Sequence, residues 1–79
     1  DDEMLTALIA KLFDDRQIII SQEILDYILK HTERSFEFVS RLIAEIDDIS
    51  WTNGRAVSVA IIREALKNLT RNQQMELFI

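Results

Sequence analysis

The sequence predicts a mainly α domain, a four-helix bundle with a minimal two-strand pairing, on three observations. Apolar residues recur at helical spacing in four separate segments, each segment is preceded by a capping Asp, Ser or Thr, and two short extended pieces stand immediately before capped helices. The chain has 79 residues, room for one hydrophobic core and one domain.

Leu5, Leu8, Ile9, Leu12 and Phe13 fall at i, i+3, i+4, i+7 and i+8, one stripe of a helix over residues 3–13 that Asp2 can cap. Asp14-Asp15-Arg16-Gln17 breaks that period, and Ile18-Ile19-Ile20 is β-branched and favours an extended backbone. Ser21 caps a second helix with Ile24, Leu25, Ile28 and Leu29 inward, ending near Lys30-His31. Thr32 is the expected cap of a long third helix, whose apolar face is Phe36, Val39, Leu42, Ile43, Ile46 and Ile49. Asn53-Gly54 stops it, since glycine tolerates the left-handed conformation past a helix end. Ala56-Val57 is again extended, and Ser58 caps a fourth helix with Val59, Ile62, Leu66 and Leu69 inward. Residues 18–20 and 56–58 are expected to pair side by side, which would satisfy backbone groups that burial leaves without water.

Composition removes several classes of function. There is no Cys and a single His31, so neither disulfides nor a thiolate metal site is available and His31 alone cannot hold zinc. The expected metal site is none. No apolar run approaches the ~18 residues of a membrane span. The net charge is -5 and the basic residues are scattered, whereas nucleic-acid binding needs concentrated positive charge, so no direct nucleic-acid contact and no membrane partner are expected. One Gly rules out a glycine-rich phosphate cradle within this chain. His31 with Ser35 or Ser40 lacks a nucleophile elbow and an oxyanion loop, so no catalytic residue is assigned. His31 reads instead as a solvated residue at a helix C-terminus. The pairs Asp14/Asp15 and Asp47/Asp48 do not converge on a cation and read as surface. The first residues, Asp1-Asp2-Glu3, lack an initiator Met and read as the start of a piece of a longer protein.

Arg34 stands apart. With Thr32 as cap it would occupy the first turn of the third helix, where the macrodipole disfavours a cation by ~0.3–1 kcal/mol. Glu33 or Glu37 offers local compensation; the alternative is a phosphate of a bound nucleotide, because an arginine and a helix N-terminus together attract anions.

The stretch Thr32-Glu33-Arg34-Ser35-Phe36-Glu37-Phe38-Val39, followed by Arg41-Leu42-Ile43-Ala44-Glu45-Ile46-Asp47, resembles the helix that opens with the sensor 2 arginine in AAA+ proteins of the DnaA group. Leu12-Phe13-Asp14-Asp15-Arg16-Gln17-Ile18, Ser21-Gln22-Glu23-Ile24-Leu25-Asp26-Tyr27-Ile28 and Val57-Ser58-Val59 before Ile62-Arg63-Glu64-Ala65-Leu66 resemble the helical lid subdomain of the same group. Within it the pattern is most similar to Hda-type proteins, DnaA-related regulators that lack a DNA-binding domain and inactivate the replication initiator. The resemblance implies a lid over residues 1–70, ADP or ATP held by the parent protein with Arg34 at its phosphates, no catalysis by this chain itself, the replication initiator as partner, and a bacterial cytoplasmic location.

Residues 71–79 form a separate C-terminal tail in this reading. Gln74-Met75-Glu76-Leu77-Phe78 is similar to the QL[SD]LF peptide that binds the sliding clamp of bacterial DNA polymerase, with Met75 in the place of Leu. The resemblance implies that Gln74, Met75, Leu77 and Phe78 bind the clamp as an extended segment, Leu77 and Phe78 entering an apolar pocket. The other reading packs Leu77 and Phe78 back on the first and fourth helices. Two further identities stay open at this point, the lid of the initiator itself and a free-standing helical adaptor.

Overall fold

The computed structural model describes the backbone of residues 2–77 and the side chains of residues 3–70. Four helices follow in order, α1 (Asp2–Asp15), α2 (Gln22–His31), α3 (Phe36–Trp51) and α4 (Val59–Leu77), so the class and the helix count agree with the expectation.

Local chemistry sets each boundary. At the end of α1 the Gln17 N–H donates to the Asp14 carbonyl at 2.9 Å and the Ile18 N–H to the Phe13 carbonyl at 2.9 Å, while Gln17 adopts φ 58. This is a Schellman closure with a glutamine where glycine is usual. The Ser21 hydroxyl accepts from the Ile24 N–H at 3.3 Å at the start of α2, and the Ser58 hydroxyl accepts from the Ile61 N–H at 3.4 Å at the start of α4. Between α3 and α4 both Gly54 and Arg55 take φ 66.

Among the described residues α1 packs on α2 and α3, and α4 packs on α3 and α2, so α1 lies opposite α4 and α2 opposite α3. Ile9, Phe13, Ile28, Val39, Leu42, Ile43, Ile46, Ile62 and Ala65 meet in the middle, all at most 1% exposed. Each was placed inward by the helical period except Ala65, which with the buried Ile61 widens the inner face of α4.

Two expectations are corrected. α3 is capped by Ser35, not Thr32: the Ser35 hydroxyl accepts from the Phe38 N–H at 3.2 Å, and Thr32 is the C-cap of α2 with an extended backbone. A residue closing one helix cannot also open another, and residues 32–35 turn the chain between them. The two-strand pairing is absent, for no strand occurs among the described residues. Residues 18–20 lie in no helix or strand, with Ile18 buried, Ile19 95% exposed and Ile20 half-buried. The Ala56 N–H donates within its own turn to the Asn53 carbonyl. The two connectors are joined instead by a side chain, the Arg55 guanidinium donating to the Arg16 carbonyl at 3.0 Å.

Candidate functional site

Arg34 lies one residue ahead of the α3 cap rather than inside the first turn. The dipole argument made for a first-turn cation therefore weakens, since the effect is greatest within that turn. Arg34 is exposed, and it shares the wall of a groove of ≈ 390 Å³ with Met4, Leu5, Leu8 and Phe36. Met4 is 74% exposed and Phe36 64%. Phe36 was expected on the core face of its helix; as the first helical residue it stands outside the packed stripe, which begins at Val39. The N-terminal ends of α1 and α3 thus set apolar side chains beside one guanidinium. Such a surface suits a ligand or partner that is apolar and flat in one part and anionic in another.

A second cluster was missed by the sequence reading, which took Asp47 as solvated. The Asp47 carboxylate receives Arg16 Nη1 at 2.8 Å on Oδ2 and Arg55 Nη1 on Oδ1. Arg55 Nη1 also donates to the hydroxyl of the fully buried Ser50 at 2.9 Å, and the Arg55 guanidinium lies 4.1 Å from the centre of the Trp51 ring. The Arg55 hydrogen bond, aided by Arg16 and opposed by partial burial, holds the Asp47 carboxyl below the usual carboxylate range. One carboxylate on α3 therefore ties down the connectors before α2 and before α4. The available signal was position: Asp47 follows the buried Ile46 by one residue and precedes the buried Ser50 by three, so it borders the inner stripe.

The remaining candidates are quiet. Exposed His31 sits in the last turn of α2, its ring 4.2 Å from that of Tyr27. Asp14 and Asp15 are exposed, Asp15 facing Lys11 at 3.9 Å. Among the described residues no group of three His, Cys, Asp or Glu could hold a metal, and no helix is long and apolar enough to cross a membrane. The backbone at Gln74, Met75 and Leu77 continues α4, whereas the side chains of those three residues and the whole of Phe78 lie outside the described residues.

Four helices in this order, with serine caps before α2, α3 and α4, form a small all-helical module of the size and class expected of a helical lid. A family model described as the Hda lid domain matches residues 1–66, and the chain belongs to that family. It is the lid domain of an Hda-type, DnaA-related protein. No curated protein and no solved structure matches the chain.

Proposed function

We propose that this lid belongs to a regulator of bacterial replication initiation whose parent holds ADP or ATP between the lid and an α/β core, with Arg34 at the phosphates. The observation that carries the reading is the groove: Arg34 borders a recess whose apolar walls include Met4 and Phe36, side chains the lid by itself leaves largely in water. Exposed apolar surface next to a bidentate cation is what a lid closing over a nucleotide and a neighbouring domain requires. In this reading the parent also binds the initiator and promotes its ATP hydrolysis.

Replacing Arg34 by Ala in the parent is expected to weaken ADP binding about tenfold or more, the scale of a lost charge-assisted hydrogen bond pair. Unchanged ADP and ATP affinity rules out the phosphate role.

The tail supplies the second contact, with the polymerase sliding clamp, through Gln74, Met75, Leu77 and Phe78. Residues 67–79 lie beyond the family match, so the tail stands on its pentapeptide alone. A triple alanine variant at Gln74, Leu77 and Phe78 is expected to lose clamp binding that the parent chain shows; equal affinity of the two would remove the clamp from the account.

A further inference from the structure

Sulfur chemistry in this chain is confined to two thioethers, Met4 and Met75, because there is no Cys. The Met75 side chain lies outside the described residues. Met4 stands on α1 just ahead of the packed stripe: Leu5 and Leu8 are half-buried and Ile9 is fully buried, whereas Met4 is 74% exposed. It belongs neither to the buried core nor to the partly buried residues packed against that core. Thioether oxidation follows exposure, so a peroxide in solution reaches Met4 without any opening of the fold.

The position of Met4 gives that reaction a consequence. Its side chain shares one groove with Leu5, Leu8, Phe36 and Arg34. As a thioether it offers flexible, polarizable apolar surface that adapts to an occupant. Oxidation to the sulfoxide puts a strong dipole and an acceptor oxygen in its place. Covering that polar group against Leu5, Leu8 and Phe36 costs free energy. The new oxygen also stands in the groove of the Arg34 guanidinium, where it competes with a phosphate for the same donors. Both effects oppose closure over a ligand. Leucine and phenylalanine are inert to peroxide, so within this groove the sensitivity resides in a single sulfur.

We infer that Met4 is a reversible oxidation site whose sulfoxide weakens closure of the lid, a regulation that rests on the nucleotide role proposed for the groove. The oxidant is hydrogen peroxide or an organic hydroperoxide. The sulfur lone pair attacks the terminal peroxide oxygen, an S–O bond forms as the O–O bond breaks, and the proton on the transferred oxygen passes to the departing one, which leaves as water or an alcohol. The sulfur loses two electrons and the peroxide gains them. Methionine sulfoxide reductase with a thiol reductant reverses the change. A closed lid covers Met4, so oxidation captures the open form.

In the test, the parent protein is treated with millimolar hydrogen peroxide with and without ADP. Sulfoxide at Met4 is followed by peptide mass spectrometry, and ADP affinity is measured before and after. Met4 is expected to gain one oxygen, several-fold more slowly with ADP bound. ADP affinity should then fall about threefold or more, the scale of one lost apolar contact, and sulfoxide reductase should restore it. The melting temperature of the nucleotide-free parent should not move, Met4 lying outside the core. In Met4→Leu, peroxide should leave ADP affinity at that variant's own starting value. No oxidation at Met4, one rate with and without ADP, or an affinity that oxidation leaves unchanged overturns the inference. So does a loss that persists in Met4→Leu, because the sensitive group then lies elsewhere. Arg34→Ala separates the two claims: if it loses ADP affinity while the Met4 result is negative, only the oxidation site falls, whereas unchanged affinity in Arg34→Ala removes the nucleotide role itself.

Discussion

At the scale of residues, Asp47 is the position where one atom pair decides most. Its carboxylate pairs with two arginines from two connectors, with side-chain exposures of 16% for Asp47, 41% for Arg16 and 27% for Arg55. Partial exposure screens the pair, so Asp47→Asn is expected to cost about 1–2 kcal/mol rather than the larger cost of a buried charge left alone. Urea unfolding of the two chains measures this. A carboxylate whose folded pKa is depressed contributes stability that is complete above its unfolded value, near ~3.9, and is lost as pH falls through the folded one. Stability at Asp47 is therefore expected to decline only in acid below about pH 4, and the acid limb should flatten in Asp47→Asn. Arg55 adds a local cost, φ 66 being unfavourable for a residue with a Cβ, and its bonds to Asp47, Ser50 and the Arg16 carbonyl offset it.

At the scale of elements, the helical period and the capping serines at 21 and 58 were legible because both are local: the signal lies within a few residues of its structural effect. The α3 start was not legible, for Thr32 and Ser35 are both good caps and only the end of α2 decides between them. Ser35→Ala is expected to cost about 1 kcal/mol, whereas Thr32→Val is expected to be neutral or stabilising, since the buried Thr32 hydroxyl oxygen makes no hydrogen bond among the described residues. Thermal melts of the two variants check this, and the reverse order would restore Thr32 as the cap. The paired strands failed for a different reason: β-branched composition speaks only for the local backbone, whereas pairing depends on where a distant segment lies. The Asp47 clasp is hidden by the same distance, 31 residues from Arg16.

At the scale of the whole molecule, the fold assigns different surfaces to the two ends of α1 and α3. Arg34 was singled out from sequence, but Leu5, Leu8 and Phe36 were read only as core and Met4 was not singled out; the groove exists because the ends of two helices overhang the packed stripe. That end is the one the lid turns toward nucleotide and core in the proposed parent. Oxidative footprinting of Met4 and Phe36, in the isolated chain and in the ADP-bound parent, tests this most directly. The account predicts that both side chains react several-fold more slowly in the parent while Trp51 keeps its rate; equal rates at Met4 and Phe36 in the two samples would contradict it.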